Sequence, residues 1–315
     1  ASDGPDDAYL GRELAHYFPA ALSARFSDAI DSHRLRREIV ATQLANAIVN
    51  HGGPAVVARI ADETGAKAPE IARAFAVVRD AFSLTALNAA IDGLDAKIAG
   101  SVQLELYAAV QDLLLSRLIW FVRNVDLTAS IEGVVSRFRQ GVETLTDSIE
   151  SVAPAPTRDA IMRRSQRFQE QGVPAALART IAGLGALSAA CDIVLVAEQA
   201  RRPLPDVAAA FFATDEALGI GALTGSARGI AVGDYYERLA LDRTVDAMEQ
   251  NRRRLAAKVV HASDEPGEKA VSAWLVARGP EAARIRESLT EIANSGLTLP
   301  KAIVAGSLLG ELVGE

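Results

Sequence analysis

Residues 101–123 read SVQLELYAAVQDLLLSRLIWFVR, a run that fits one long helix. Four of its polar side chains recur at spacings of 7, 4 and 7 residues, so they form one narrow stripe; they are Glu105, Asp112, Ser116 and Arg123. Leucine, isoleucine, valine and aromatic residues, Leu104 among them, occupy most of the remaining circumference. A helix this apolar is typical of one surrounded by others, so we expect it at the centre of the first half of the chain.

The composition extends this helical interpretation to the whole chain. Of the 315 residues, 50% are hydrophobic and 23% are charged, and alanine is the commonest type. Alanine is the best helix former and is depleted from strands, which favours an all-α fold over an all-β one. We predict a soluble multi-helix array of about 13–15 helices without significant sheet, because helix start and stop signals follow one another along the chain.

Two closely spaced prolines mark the predicted division of the chain. The run Ala153-Pro154-Ala155-Pro156 interrupts the helical pattern near the middle of the sequence. Proline favours an extended conformation at the residue before it, so this run is typical of a link. We therefore predict a first helical lobe over residues 1–152 and a second over residues 157–315, joined at 153–156.

The charge and hydropathy of the sequence indicate whether it binds nucleic acid or a membrane. The net charge of −7 argues against a general nucleic-acid binder, which would carry a basic footprint. The densest basic run, Arg252–Arg254, lies beside Glu249 on a predicted helix, and we interpret it as a solvated face rather than a phosphate site. The longest apolar run, 181–196, contains Asp192 and is shorter than the roughly 20 residues of a membrane crossing. We expect no nucleic-acid or membrane partner and a cytoplasmic protein.

A second predicted helix, over about residues 27–51, carries a continuous polar stripe. Its four members follow the spacing i, i+7, i+10 and i+14, on a face that also carries Ile39 at i+3; they are Arg36, Gln43, Asn46 and Asn50. A buried amide without a partner costs about 1–3 kcal/mol, so these side chains should meet hydrogen-bond partners. Hydrogen bonding between helices of the fold is the favoured interpretation. A docking surface for another domain and a ligand site are the alternatives.

Motifs for cofactors and metals are incomplete in this sequence. The pair Gly183 and Gly185 resembles the start of a dinucleotide-binding loop, but the preceding segment is helical and the spacing to the next apolar run is too short. A single Glu-x-x-His occurs at 13–16, whereas a di-iron helical bundle needs two. We predict no cofactor or metal bound by this chain.

Isolated titratable residues suggest structural roles. The acidic pair Asp92 and Asp95 is expected to cap helices or to lie on solvated faces. No Ser-His-Asp set is suggested by the four histidines, so we interpret His51 and the others as structural. The single cysteine, Cys191, lies in an apolar stretch and is expected to be a small buried side chain.

Four longer runs point to a family. They are HRLRREIVATQLANAIVNHGG at 33–53, AFAVVRDAF at 74–82, ELYAAVQDLL at 105–114 and DYYERLALDR at 234–243. Together they resemble the C-terminal region of the large bacterial NAD-dependent glutamate dehydrogenases, and the resemblance extends over nearly the whole chain. Because members of that family are several times longer, the resemblance implies that this chain is an excised C-terminal portion.

The resemblance implies that catalysis and NAD binding belong to another part of the parent protein. The family oxidises L-glutamate to 2-oxoglutarate and ammonia and passes hydride to NAD, using lysines, an aspartate and a Rossmann domain that lie upstream of this region. None of those motifs matches a position here, and no lysine of this chain lies in such a context: Lys67, Lys97, Lys258, Lys269 and Lys301. The implied role is a non-catalytic domain that supports the catalytic domain of the same chain and the assembly or regulation of a homo-oligomer.

Two other functions stay open at this point. The chain could be a free-standing helical interaction or scaffold module that shares only ancestry with the dehydrogenases. It could also be an independent helical enzyme, for which a polar pocket with convergent titratable groups would be the sign.

Overall fold

The predicted all-α class is confirmed. A computed structural model describes residues 9–128 and 130–314, and within these ranges the chain forms helices and no strands. The helices of these ranges number 18 rather than 13–15, because short helices at Ala20–Arg25, Ser27–Asp31, Val56–Thr64 and Ile220–Arg228 are separate elements. Their bounds are α1 Arg12–Tyr17, α2 Ala20–Arg25, α3 Ser27–Asp31, α4 Arg36–Gly52, α5 Val56–Thr64, α6 Ala68–Ala81, α7 Leu84–Asp92, α8 Gly100–Asn124, α9 Ile131–Val152, α10 Ala155–Glu170, α11 Ala175–Leu187, α12 Ala190–Ala200, α13 Leu204–Leu218, α14 Ile220–Arg228, α15 Tyr235–Ala262, α16 Gly267–Ala277, α17 Pro280–Asn294 and α18 Leu299–Val313.

A membrane crossing requires a helix of about 20 predominantly apolar residues. No single helix within the described ranges is long and apolar enough to cross a bilayer. Three bent pairs reach that length and composition together, and they join α6 to α7, α11 to α12, and α13 to α14.

The chain divides into two compact units that are discontinuous in sequence. The first comprises residues up to Val142 together with Ile161–Ser188, and the second comprises Glu143–Ala160 together with residues from Ala189 onward. The predicted link at 153–156 lies within the second unit; residues 153 and 154 connect α9 to α10, and residues 155 and 156 are the first residues of α10. The division at that link stays a prediction about domains, and the two compact units are bounded differently.

Helix α8 is the centre of the first unit, as predicted from its apolar pattern. It packs against α4, α5, α6, α7 and α11, and its buried side chains include Leu106, Leu118 and Phe121. Leu104 departs from the expectation, because 70% of its surface is exposed. The reason is its position on the helix: Leu104 lies one turn from Ala108, on the side that also carries exposed Gln111.

A network of charged side chains joins three helices of the first unit. Arg79 in α6 donates through Nε to Asp80 Oδ1 at 2.8 Å, and its Nη2 lies 2.7 Å from Glu13 Oε1 in α1. The hydroxyl of Tyr9 donates to Asp80 Oδ2 at 2.7 Å. Arg139 in α9 donates to the backbone oxygen of Asp80 at 2.9 and 3.1 Å. The network fixes the N-terminal segment and α9 against the same turn of α6.

The protonation of this network follows from its geometry. Burial alone would raise the pKa of Asp80, but the hydrogen bond and positive charge of Arg79 lower it below the usual value. Burial and the hydrogen bond to Asp80 raise the pKa of Tyr9 to about 12. Burial opposes the charge of Arg79, yet Asp80 and Glu13 raise its pKa, so the guanidinium stays protonated.

The substitution Asp80→Asn tests the network. We expect a loss of about 2 kcal/mol in the free energy of unfolding at pH 7, because the largely buried guanidinium of Arg79 keeps only one carboxylate. The pKa of Asp80 is lower in the folded chain than in the unfolded one, so its contribution is complete above about pH 4 and is lost as the pH falls through the folded value. Urea denaturation at pH 7 and at pH 3 measures both effects.

The control for this experiment is Asp112→Asn, which removes one negative charge from an exposed position on α8. Its free energy of unfolding should stay within about 0.5 kcal/mol of the wild type at both pH values. The difference in free energy of unfolding between wild type and Asp80→Asn should be smaller at pH 3 than at pH 7. An equally large difference at both pH values would show that the charge of Asp80 does not act as described.

Helix α15 is the centre of the second unit. It packs against α12, α13, α14, α16 and α18, and its buried side chains include Leu241, Met248 and Leu255. The helix begins at Tyr235 because the side chain of Asp234 accepts a hydrogen bond from the backbone N–H of Glu237 at 2.8 Å. The carboxylate of Glu237 in turn accepts from the backbone N–H of Gly233 at 2.7 Å.

The prediction that Arg252–Arg254 form a solvated face is wrong for two of the three residues. The side chains of Arg252 and Arg253 are only 14% and 22% exposed. Arg253 Nη1 lies 3.1 Å from Asp192 Oδ1 in α12, and Arg252 Nη1 lies 3.6 Å from Asp215 Oδ1 in α13. Successive helical residues point about 100° apart, so one run faces two neighbouring helices while Arg254 is exposed.

A glycine of α14 makes room for one of these carboxylates. A Cβ atom on Gly221 would lie 2.6 Å from Asp215 Oδ2, which is closer than real contacts allow. Asp215 faces Arg252, so its carboxylate has little freedom to move away. Position 221 therefore requires glycine for steric reasons, although it lies within a helix where alanine would ordinarily be better.

Two glycine substitutions in α14 give opposite predictions. A Cβ atom on Gly225 would have no neighbouring atom within 4 Å, so Gly225→Ala should raise the free energy of unfolding by about 0.5–1 kcal/mol through helix propensity. Gly221→Ala should lower it by about 1–2 kcal/mol, because Asp215 must be displaced. The free energies of unfolding of the two variants are measured by thermal and urea denaturation. An increase for both Gly225→Ala and Gly221→Ala would contradict the steric argument.

Candidate functional site

Helices α4, α6, α7 and α8 of the first unit enclose a cavity of about 320 Å³. This volume lies at the lower end of the range that small-molecule sites occupy. Polar side chains form most of the lining, and a few apolar ones complete it: Asn50, His51, Phe75, Arg79, Leu84, Thr85, Asn88, Asp92, Tyr107, Val110, Gln111 and Leu114.

Helix periodicity brings the polar groups to this cavity. Among the lining residues, three of the four helices each contribute a pair at the spacing i, i+4 that includes polar side chains. This spacing places both side chains of a pair on one face of the helix. These pairs are Phe75 and Arg79, Asn88 and Asp92, and Tyr107 and Gln111. Helix α4 contributes its C-terminal residues Asn50 and His51.

A tight turn sets α6 and α7 beside each other at the cavity. Helix α6 ends at Ala81 and α7 begins at Leu84, so only two residues connect them. One of these, Ser83, adopts a left-handed backbone conformation with φ of 53°, which is uncommon for a residue with a side chain. This turn is what places Arg79 of α6 and Asn88 of α7 on the same cavity.

Two hydrogen bonds organise the lining. Asn88 Nδ2 lies 3.3 Å from His51 Nδ1, and the ring of His51 is nearly parallel to that of Phe75. The hydroxyl of Tyr107 donates to Asp92 Oδ1. Burial and this hydrogen bond raise the pKa of Tyr107 to about 12, so the phenol keeps its proton at neutral pH.

The charge state of His51 follows from its surroundings. Burial and the positive charge of Arg79 lower its pKa, and the smaller effect of the negative charge of Asp92 opposes them only in part. His51 is therefore neutral at pH 7. The cavity thus combines a neutral imidazole, a protonated phenol, side-chain amides and one carboxylate, which is a set suited to binding a polar ligand.

The structure brings one of the four predicted stripe residues to this cavity. Asn50 lines it, whereas Arg36, Gln43 and Asn46 lie further back along α4. Asn46 and Asn50 are exposed, and Gln43 and Arg36 are half-buried. Arg36 has interactions within the chain. The role of this stripe stays a prediction.

Apart from the ligand-site alternative for the stripe that includes Asn50, sequence reasoning assigned no ligand-binding role to the side chains that form the cavity. His51 and Asp92 were expected to be structural or solvated, and Asp92 is indeed exposed, but both line the cavity. Its companion Asp95 accepts a hydrogen bond from the next backbone N–H, that of Ala96, as a local cap would. The i, i+4 polar pairs were the available signal, and such pairs are common on solvated helix faces.

Two other expectations concern metal and thiol chemistry. Within the part of the chain that the structure describes, no three residues among His, Cys, Asp and Glu are placed to hold a metal ion. Cys191 is buried, as predicted. The cavity of α4, α6, α7 and α8 is the candidate site because polar side chains of four helices converge on it.

Three curated relatives cover almost all of this chain. The NAD-specific glutamate dehydrogenase of Pseudomonas aeruginosa is 32% identical over 311 residues, which are 98% of this chain and 19% of that protein. The enzyme of the same name from Halomonas elongata is 32% identical over 294 residues, or 93% of this chain and 18% of that protein. The enzyme of the same name from Mycobacterium tuberculosis is 29% identical over 305 residues, which are 94% of this chain and 18% of that protein. The chain thus spans about a fifth of the length of these relatives.

A family model gives the same assignment over the same extent. The model described as "Glutamate dehydrogenase, C-terminal" matches residues 1–311 of the 315. The match includes both compact units and the four helices of the cavity. It confirms the resemblance carried by residues 33–53, 74–82, 105–114 and 234–243. The chain belongs to the glutamate dehydrogenase C-terminal family.

Proposed function

We propose that this chain is the non-catalytic helical C-terminal domain of a longer NAD-dependent glutamate dehydrogenase. The parent enzyme converts L-glutamate, NAD and water to 2-oxoglutarate, ammonia and NADH, and NAD binds outside this domain. The observation that carries the proposal is the extent of the match: a relative named NAD-specific glutamate dehydrogenase covers 98% of this chain with 19% of its own length. The parent enzyme is expected in the cytoplasm.

The contacts of two lysines support a structural rather than a catalytic role. Lys97 Nζ donates to the carbonyl oxygen of Gly93 at 2.7 Å. Lys301 Nζ donates to the carbonyl oxygens of Ser295 and Gly296, each at 3.0 Å. Both ammonium groups thus stabilise the ends of helices, where cations are favoured by the helix dipole. A lysine that acts on a substrate would present its amine to a cavity.

The polar stripe of α4 supports contact with another domain. Asn46 and Asn50 are exposed on one side of the helix, and the neighbouring Val49 is 45% exposed. Exposed amides beside an exposed aliphatic side chain are suited to a wet, partly apolar interface. We propose that the catalytic domain of the same polypeptide covers this face, and that the domain supports a homo-oligomer in the complete enzyme.

The first test asks whether the chain alone has dehydrogenase activity. The purified 315-residue chain should give no glutamate-dependent reduction of NAD, followed by the absorbance of NADH, whereas the product of the complete open reading frame should be active. Turnover by the chain alone would contradict the non-catalytic role. A reading frame no longer than this chain would replace the proposal with a free-standing helical module.

The second test concerns the stripe. The chain is co-expressed with the remainder of the parent enzyme as a separate polypeptide, and affinity between the two is measured by co-purification and titration. Asn46→Arg should weaken binding by about fivefold or more, because an arginine in the interface displaces contacts of the amide.

Ala41→Arg is the matched control, because Ala41 is also exposed but lies about 140° around the same helix from Asn46 and about 80° from Val49. Both variants should retain the circular dichroism spectrum and thermal midpoint of the wild type. Equal binding by Asn46→Arg and Ala41→Arg would refute the assignment of the stripe as the docking face.

A further inference from the structure

The cavity of the first unit contains one carboxylate that is not neutralised by a described cation. Asp92 Oδ1 accepts the hydroxyl of Tyr107, and its Oδ2 takes part in no described contact. The nearby Lys97 does not pair with it, because its ammonium donates to the carbonyl oxygen of Gly93. The charge of Asp92 therefore faces the cavity and the solvent.

The positive group of the cavity is already neutralised. Arg79 contacts Asp80 at 2.8 Å and Glu13 at 2.7 Å, so two carboxylates surround one guanidinium. The other titratable side chains of the lining, His51 and Tyr107, are uncharged at neutral pH. The electrostatic character of the cavity is thus set by Asp92, and it favours a cation over an anion.

The helix that carries Asp92 adds to this preference. Asp92 is the last residue of α7, where the backbone carbonyls carry a partial negative charge. A carboxylate at a helix C-terminus is unfavourable for the helix itself. A cation bound at this place would be attracted by the carboxylate and by the helix end together.

The remaining lining defines the shape and polarity of the ligand. Buried Phe75, Leu84 and Val110 form an apolar floor, and the amides of Asn88 and Gln111 lie at the polar part of the lining. A volume of about 320 Å³ holds on the order of ten non-hydrogen atoms, given about 30 Å³ for each water molecule of the liquid. The ligand is therefore small and has an apolar body.

We propose that this cavity binds a small organic cation, a primary ammonium with a compact apolar body. The ammonium donates to Asp92 Oδ2 and to the side-chain oxygens of Asn88 and Gln111. The apolar body packs on Phe75 and Leu84. This binding belongs to the chain itself, so it can be tested independently of the dehydrogenase assignment.

The test uses three probes that share one apolar body. Benzylammonium, benzyl alcohol and benzoate are titrated calorimetrically into the 315-residue chain near neutral pH. We expect saturable binding of benzylammonium at one site, with an affinity about fivefold or more above that of benzyl alcohol, as one charge pair contributes. Benzoate should bind more weakly than either.

Variants locate the site. Asp92→Asn keeps the size and the acceptor for Tyr107, and it should reduce the affinity for benzylammonium to that for benzyl alcohol. Asp112→Asn removes the same charge from α8 outside the cavity and should leave the affinity unchanged. Thr85→Arg places a cation and added bulk on an exposed lining position and should abolish binding.

Four outcomes would overturn the proposal. Tighter binding of benzoate would show that Arg79 dominates the cavity. Equal binding of benzylammonium and benzyl alcohol would show that only the apolar floor acts. An equal loss of affinity for benzylammonium in Asp92→Asn and Asp112→Asn would show that the net negative charge of the chain attracts the cation, and not a specific contact with Asp92. Failure of all three probes to bind would exclude the site.

Discussion

A largely buried guanidinium requires carboxylates, and in the first unit this requirement organises the fold around Arg79. The side chain reaches Glu13 of α1 and Asp80 of its own helix, and Asp80 is in turn held by Tyr9 and by Arg139 of α9. Withdrawing an arginine from water without these partners would cost several kcal/mol. The same Arg79 contributes to the cavity lining and to the lowered pKa of His51. Stability of the unit and polarity of the cavity thus depend on one pair of adjacent residues.

The second unit uses the same chemistry at a different place. Arg252 and Arg253 of α15 face Asp215 and Asp192, which come from two different helices. Charge pairs of this kind fix the rotation of a helix about its axis, because an arginine turned by one residue would leave both charges unpaired. Apolar packing alone tolerates such rotation more readily. In an alanine-rich chain with few aromatic side chains, charge pairs that fix the rotation of a helix have particular value.

The sequence was sufficient for features that lie within one element. The central position of α8 followed from the spacing of its polar residues, and the family followed from contiguous runs. The partners of Arg253 could not be foreseen, because Asp192 lies 61 residues away and no local pattern connects them. The cavity was likewise missed, since it requires the register of four helices and the left-handed turn at Ser83. The polar stripe of α4 was visible in the sequence, and only its last residue, Asn50, lies at the cavity.

The close approach of Gly221 to Asp215 has an evolutionary consequence. A mutation that adds any side chain at 221 meets the carboxylate of Asp215, and a mutation that shortens Asp215 leaves Arg252 without its counter-charge. Three positions on three helices are therefore not free to drift one at a time. A lineage can exchange them only through a coordinated series of changes, so this small group should vary as a set among descendants of a common ancestor.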